Sequence, residues 1–378
     1  MTPPAVVVEG GRVSGVLEGE TAVFRGLPYA ATPVGALRWR APEPPVAWTG
    51  TREATAFGAN CLQPANPTDT GIGKGPVSED CLTLNVWSPA APSEAKRPVM
   101  VWIHGGSFTS GSGSAELYDG RALARRGTVV VTLNYRLGRF GFFAHPALAA
   151  ESRAQPVVNF ALLDQIAALQ WVQRNIAAFG GDKHNVTVFG ESAGGVAVQH
   201  MMLAAPARGL FARAIVQSGR GLEDVMPLAV AENQARSFID GLAPDADTPA
   251  ALRAIPAAQI AGATVPSIYD GFGPILDGHL VRSTVWEGFA AGRQARVPLI
   301  VGFNSHELPG AFLRDTVRLE TLLKLGDDAR QAAVAAYGGE AGFKESVFGD
   351  ALYAVPAIRI AQAHARTGAP TYLYRFGF

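Results

Sequence analysis

The pentapeptide GESAG at residues 190–194 fits the pattern G-x-S-x-G, in which a serine can act as a nucleophile. It follows the apolar segment 186–189 and precedes a stretch of helical character. A strand, a tight turn and a helix in this order place the serine oxygen at a helix N-terminus, where the dipole and free N–H groups favour developing negative charge. A structural turn serine is the alternative. The context favours Ser192 as a nucleophile, with the N–H group of Ala193 beside it.

A second turn with possible chemistry is the sequence HGGSF at residues 104–108, directly after the apolar segment 99–103. Consecutive glycines allow backbone N–H groups to converge on one point, because no side chain blocks the approach. Alone, this segment could be a plain glycine turn. Together with the GESAG turn, it predicts an oxyanion hole in which the N–H groups of Gly106, Ser107 and Ala193 are the donors.

The elements that must position these turns follow an alternating pattern. Apolar, β-branched segments alternate with helical patterns, which predicts a mostly parallel sheet with helices on both faces. Between the apolar segments 129–133 and 186–189, a helix is predicted that begins after Asn159, a possible N-cap, and stops at Gly180. The chain up to residues 84–87 is interpreted as an antiparallel edge of the sheet. The predicted strands are 99–103, 129–133, 186–189, 214–217 and 297–301.

The region 223–272 is helical, is rich in Ala and Pro, and does not follow the alternation of strands and helices. We interpret it as a helical cap inserted into a single domain that spans residues 1–378.

Composition narrows the possible functions. Of the 378 residues, 48% are hydrophobic and 17% charged, so the chain can bury a large core. The chain has 32 basic residues (Lys and Arg) and 32 acidic residues (Asp and Glu). It therefore has no net positive charge that would attract it to nucleic acid or to an anionic membrane. No apolar window is long enough for stable membrane insertion. The sequence has no Cys/His cluster with the spacing of a zinc site, and its glycine turns lack the Lys of a phosphate-binding loop. We therefore expect no metal and no cofactor.

The two cysteines, Cys61 and Cys81, flank a loop rich in Pro, Gly and Asn. Their placement predicts a disulfide, and two unpaired buried thiols are the alternative. A disulfide would favour a periplasmic or secreted enzyme whose signal peptide is absent here, and a cytoplasmic location is the other possibility.

Several further segments, taken with the two turns, resemble the carboxylesterase type B, or cholinesterase-like, family of α/β hydrolases. The resemblance extends from about residue 6 to the last residue. It implies the α/β-hydrolase fold and hydrolysis of small-molecule carboxylic esters through an acyl-enzyme, without a cofactor. The segments are FRGLPYA (24–30), PVGALRW (33–39), SEDCLTLNV (78–86), NYRLG (134–138), LDQ (163–165) and QSG (217–219).

The resemblance also implies a Ser-acid-His triad whose acid follows a strand. Glu307 occupies the acid position, although its neighbours His306 and Leu308 differ from the Asp and Gly usual in the family. By the same resemblance, Ser218 would hydrogen-bond the Glu307 carboxylate. Glu191 would be a supporting hydrogen-bonding residue rather than a catalytic acid.

Two structural ion pairs are also implied by the resemblance. They join Arg38 with Glu79, and Arg136 with Asp164.

None of the seven histidines fits the position of the base. In the family the base follows a strand like residues 372–376, and this chain ends there. We therefore expect that the C-terminal part of the fold is missing and that a C-terminal fragment of the same enzyme would complete the site beside Glu307. Recruitment of His200, His306 or His364 as the base is the alternative.

A catalytically inactive binding module is the other functional class to consider, because cholinesterase-like adhesion proteins share this fold. Those proteins lack the serine of the turn, whereas this chain retains Ser192, Glu307 and the glycine turn. The sequence therefore favours an enzyme. It does not separate an esterase from a lipase or an amidase.

Overall fold

The computed structural model describes residues 3–64, 69–91, 96–151, 157–222, 225–262, 272–307 and 326–377. Its strands are β1 (Ala5–Val8), β2 (Gly11–Ser14), β3 (Val16–Glu18), β4 (Thr21–Pro28), β5 (Thr51–Glu53), β6 (Asn60–Cys61), β7 (Val77–Ser78), β8 (Thr83–Pro89), β9 (Arg97–Ile103), β10 (Val129–Leu133), β11 (Gly181–Glu191), β12 (Arg213–Gln217), β13 (Met226–Pro227), β14 (Ile275–Leu276), β15 (Leu299–Asn304) and β16 (Thr371–Phe376).

The central element is a nine-stranded sheet in the order β16-β15-β12-β11-β9-β10-β8-β4-β3. The six strands from β16 to β10 are parallel, and β8, β4 and β3 are antiparallel. Each of the five predicted strand segments forms a strand of the parallel part. The mostly parallel sheet with an antiparallel N-terminal edge is thus confirmed, and β1, β2 and β5 form a separate small sheet.

Helices cover both faces of the sheet, as alternate residues of β10 show. Val130 packs in a cluster with Ala124 of one helix, whereas Val129 and Val131 belong to the main core with Leu169 of another. The helices are α1 (Arg121–Ala124), α2 (Gly138–Gly141), α3 (Pro146–Ala149), α4 (Phe160–Asn175), α5 (Ala193–Leu203), α6 (Leu228–Leu242), α7 (Pro249–Ala254), α8 (Ala257–Gly262), α9 (Val285–Ala290), α10 (Asp327–Ala336), α11 (Glu340–Gly349) and α12 (Val355–Ala365).

Helix α4 begins after Asn159, as predicted, but the Asn159 side chain does not cap it. Instead, Nδ2 donates to the Ile275 carbonyl (2.9 Å) and to Asp277 Oδ2 (2.8 Å), and Oδ1 accepts from the Ile275 N–H (2.8 Å). The expected cap is therefore wrong, because partners more than 100 residues away satisfy this amide. After α4, a 3₁₀ turn ends at Gly180, whose φ of 79° is the left-handed conformation usual at helix ends.

Within the region 223–272, the described residues form helices α6, α7 and α8. Their buried side chains, including Ile239, Leu252 and Ile260, share one cluster with Phe143 and Phe160. Residues 223, 224 and 263–271 of this region lie outside the described part of the chain. The role of the region as a cap stays a prediction.

Cys61 and Cys81 form a disulfide, with their Cα atoms 5.0 Å apart, which confirms the predicted pairing. Both residues are almost fully buried.

Both predicted ion pairs are present as two-point contacts. The distances are 2.6 and 2.6 Å for Arg38–Glu79, and 2.8 and 2.7 Å for Arg136–Asp164.

Candidate active site

Ser192 lies in the sharp turn between β11 and α5. Its φ of 54° and ψ of −121° are rare for a residue with a side chain and therefore strained. The backbone is fixed on both sides, because the Ser192 N–H donates to the Gln217 carbonyl (2.9 Å) and its carbonyl accepts from the Val196 N–H (2.9 Å). Its side chain makes no capping hydrogen bond to α5. The hydroxyl is thus held at the helix N-terminus without being used to cap it.

The glycines around Ser192 are required by close backbone contacts. A Cβ atom on Gly194 would lie 2.1 Å from the Ile103 carbonyl oxygen, and one on Gly190 would lie 2.6 Å from the Gly194 carbonyl carbon. Both distances are far below van der Waals contact, so only glycine allows α5 to return against the end of β9.

The glycine turn that follows β9 lies directly against Ser192. A Cβ atom on Gly105 would be 3.2 Å from Ser192 Cβ. Gly106, Ser107 and Phe108 have positive φ values of 96°, 55° and 58°. The Gly106 and Ser107 N–H groups have no hydrogen-bond acceptor among the described residues. The structure thus brings the two predicted turns together.

Ala193, the third predicted donor, is the first residue of α5. The first N–H groups of a helix have no acceptor within the helix, so its N–H group is available at the same place.

Buried side chains hold the glycine turn. The His104 ring stacks on Tyr135 at 4.3 Å between centroids, and the Tyr135 hydroxyl donates to the His104 carbonyl (2.8 Å). Burial lowers the pKa of His104 to about 4, so the ring is neutral near pH 7. On the far side of the turn, Gln63 both accepts from the Gly111 N–H (2.8 Å) and donates to its carbonyl (2.9 Å). Gln63 is two residues from Cys61 and lies in the disulfide loop, the segment between Cys61 and Cys81 that the disulfide closes. This loop therefore supports the glycine turn.

Glu307 lies just beyond the end of β15, and the structure brings it together with Ser218. The Ser218 hydroxyl donates to Glu307 Oε1 at 2.7 Å. Sequence reasoning missed a further partner, Asn304, whose N–H donates to Oε1 (2.6 Å) and whose Nδ2 donates to Oε2 (3.2 Å). The available signal was an Asn at a strand end three residues before a carboxylate, where a short turn brings the two together.

Glu191, the residue before Ser192, opens into a cavity of about 410 Å³ that Ser218 and Asn304 also line. Desolvation, and then repulsion by Glu307, raise the pKa of Glu191 to about 7. Glu191 also keeps exposed surface in this cavity. The carboxylate makes no hydrogen bond to the described residues, so its expected hydrogen-bonding role stays a prediction.

All seven histidines lie within the described segments, and none of them forms a hydrogen bond with Ser192 there. The His306 ring contacts Glu345 (3.2 Å). His364 is buried in α12, with Nε2 2.8 Å from a backbone carbonyl oxygen. His200 is buried two turns along α5.

The strand β16 pairs with β15 in parallel, and the Ser305 N–H donates to the Phe376 carbonyl (2.7 Å). The end of β16 thus lies beside the loop that carries Glu307, as predicted. Phe378 itself is outside the described residues.

Within the described residues, no three His, Cys, Asp or Glu side chains are grouped so that they could hold a metal ion. No helix in this part of the chain has the length and hydropathy needed to span a bilayer.

Comparison with known proteins identifies the family. The Carboxylesterase family matches residues 2–333. The chain is 40% identical to fumonisin B1 esterase of Sphingopyxis macrogoltabida, over 97% of this chain and 70% of that protein. It is 38% identical to para-nitrobenzyl esterase of Bacillus subtilis (strain 168), over 100% and 79%.

Solved structures agree with these matches. A PNB esterase structure superimposes with a TM-score of 0.86 at 36% identity, covering 100% of this chain and 81% of that one. A Geobacillus stearothermophilus carboxylesterase gives 0.84 at 35% identity, covering 99% and 80%. With the fold and the matched sequence in agreement, the chain belongs to the carboxylesterase family of α/β hydrolases and is a carboxylic ester hydrolase.

Proposed function

We propose that Ser192 is the nucleophile of an acyl-enzyme mechanism. Its Oγ attacks the ester carbonyl carbon while a base takes the hydroxyl proton. The tetrahedral intermediate then collapses, and the alcohol leaves with that proton. Water attacks the acyl-serine in the second half, and the carboxylic acid is released. The observation that carries this proposal is the strained Ser192 backbone at a helix N-terminus, directly against the glycine turn.

In this mechanism the N–H groups of Gly106, Ser107 and Ala193 bind the oxyanion. Their proposed role is supported by the positive φ of Gly106 and Ser107 and by the lack of competing acceptors among the described residues. Donors fixed before the reaction stabilise charge that develops only in the transition state, and such groups contribute about 3–4 kcal/mol each in well-studied hydrolases.

Glu307 is the proposed acid, which orients the base and stabilises its protonated form. Three donor groups hold its carboxylate: the Ser218 hydroxyl, and the backbone N–H and the amide of Asn304. A carboxylate fixed in this way presents one orientation to an imidazole.

The base itself is proposed to be a histidine outside residues 1–378, supplied by a C-terminal fragment of the same enzyme. The proposal is supported by the placement of the seven histidines in this chain, none of which is hydrogen-bonded to Ser192.

The proposed substrate is a small carboxylic ester with an apolar acyl or alcohol group. A cavity of about 530 Å³ between α6 and residues 142–144 has Phe142, Phe143, Phe238 and Phe272 in its lining. It reaches towards the glycine turn, since a Cβ on Gly273 would lie 3.9 Å from Phe108. The region 223–272 would thus act as a cap that shapes the substrate pocket.

Chemical rescue tests the proposal. An activated ester such as p-nitrophenyl acetate is added with increasing free imidazole, and p-nitrophenol release is followed. If the base lies outside this chain, imidazole accelerates release in a saturable way. Ser192→Ala abolishes the rescue, and Glu307→Gln raises the imidazole concentration required.

A matched control is Glu345→Gln, which removes a carboxylate near His306 and should leave the rescue unchanged. Rescue that survives in Ser192→Ala would contradict the nucleophile assignment. High activity without imidazole that is lost on replacing one of the seven histidines would contradict the external base.

A further inference from the structure

A cavity of about 580 Å³ lies at the C-terminal end of α5, away from the ester site. Two histidines line it, His279 and His200, and His200 is eight residues along α5 from Ser192, or about 12 Å along the axis. Four arginines share this cavity, in a protein whose formal net charge is zero. They are Arg208, Arg282, Arg293 and Arg296.

The backbone around this cavity is fixed by contacts between its segments. The Ala295 N–H donates to the Met202 carbonyl (2.7 Å), which ties the loop 292–296 to the end of α5. Arg208 Nη2 donates to the Arg293 carbonyl (2.8 Å). Helix α9 packs so closely on α5 that a Cβ on Gly288 would lie 2.5 Å from a Leu203 methyl carbon. The arginines are therefore attached to a rigid frame.

His200 provides an independent observation. It is 4% exposed and lines this cavity, yet neither ring nitrogen has a hydrogen-bond partner among the described residues. A buried ring N–H without an acceptor is costly. An acceptor placed in the cavity would satisfy it.

No described residue in the cavity lining carries a carboxylate. Two acidic residues on the surrounding segments accept hydrogen bonds from nearby backbone N–H groups. Asp277 Oδ1 accepts from the N–H groups of His279 and Val281 (2.9 Å each). Glu287 Oε2 accepts from the Thr284 N–H (3.0 Å). The positive charge of the four guanidinium groups is thus not neutralised from within the cavity.

We propose that this cavity is a binding site for a compact oxyanion with at least two negative charges, carried by carboxylate or phosphate groups. The planar guanidinium groups at the rim match the paired oxygens of either group. The His200 ring at the floor donates to a third oxygen. The site is separate from the ester site and does not depend on its chemistry.

Isothermal titration calorimetry at constant ionic strength tests this site, with pyrophosphate and citrate as the two probes and acetate as the monovalent comparison. Constant ionic strength matters because salt screens exposed charges. The expected result is saturable binding of at least one multivalent probe, with acetate at least about tenfold weaker. Comparison of the two probes separates a phosphate from a carboxylate ligand.

Two double variants locate the binding. Arg293→Gln with Arg296→Gln should weaken binding at least about tenfold. Arg125→Gln with Arg126→Gln makes the same charge change at an exposed position elsewhere and should leave it unchanged. Hydrogen–deuterium exchange should show ligand protection in residues 277–283 and 292–296. Absence of saturable binding by both probes, or equal loss in both double variants, would overturn the proposal.

Discussion

At the scale of single residues, close backbone packing determines the geometry of the candidate site. Ser192 keeps a φ of 54° because neighbouring strands and α5 hold its backbone on both sides. The glycines at 105, 190 and 194 permit approaches that any Cβ would block. Close backbone approaches therefore account for the glycines of both turns, and they place the two turns against each other.

Replacement of Gly194 by Ala should destabilise the protein by more than about 2 kcal/mol, because the new methyl group would meet the Ile103 carbonyl oxygen at 2.1 Å. The measurement is urea unfolding followed by circular dichroism. Gly241→Ala is the matched control, since its Cβ would enter open space on α6 and alanine favours helix by up to about 1 kcal/mol. Equal stability of the two variants would show that the turn is not close-packed.

At the scale of elements, the carboxyl ends of parallel strands carry the site. Ser192 follows β11, the glycine turn follows β9, Ser218 follows β12 and Glu307 lies beyond β15. Strand order reverses at β9, which has β10 on one side and β11 on the other, and such switch points create crevices at the carboxyl edge. The disulfide loop supports this edge through Gln63.

Replacement of both Cys61 and Cys81 by Ala should lower the free energy of unfolding by about 3 kcal/mol, the chain-entropy value for a loop of this length. The loop spans 20 residues and its cysteines are buried. Thermal unfolding of oxidised wild type and the double variant gives the difference. Faster exchange of amides in residues 104–111 should accompany it, because Gln63 holds Gly111. Unchanged stability and exchange would refute the supporting role.

Much of this architecture could be predicted from the sequence, because the signals were local. The β-branched segments, the two turns and the cysteine pair each appear within a few residues of the chain. The missed features depend on residues that are distant in sequence: Asn159 binds Asp277 instead of capping α4, and His200 lines one cavity with four arginines from later segments. Asn304 is an intermediate case, since its partner is only three residues away but the contact depends on how the chain turns after the end of β15.

At the scale of the whole molecule, buried histidines make stability depend on pH. Burial lowers the pKa of both His104 and His200 to about 4. These rings stay neutral in the folded state while the unfolded chain binds protons below pH 6.5, so stability falls as pH drops from about 6.5 to 4. At pH 5 each of the two rings should lower the free energy of unfolding by about 2 kcal/mol relative to its value at pH 7.5.

Glu191 acts in the opposite direction. Its pKa is raised to about 7, so its contribution to stability falls as pH rises from about 4.5 to 7. Urea unfolding at pH 5.0 and 7.5 should therefore show a steeper gain with pH in Glu191→Gln than in wild type. A stability independent of pH in both proteins would contradict the lowered pKa values of His104 and His200 and the raised pKa of Glu191.

The central claim is that Ser192 is the nucleophile, and covalent labelling tests it most directly. The protein is incubated with a fluorophosphonate probe, digested, and the modified residue is identified by mass spectrometry. The account predicts a single adduct on Ser192, formed faster with free imidazole, absent in Ser192→Ala and retained in Ser110→Ala. No adduct on the folded protein with imidazole present, or an adduct on another serine, would contradict it.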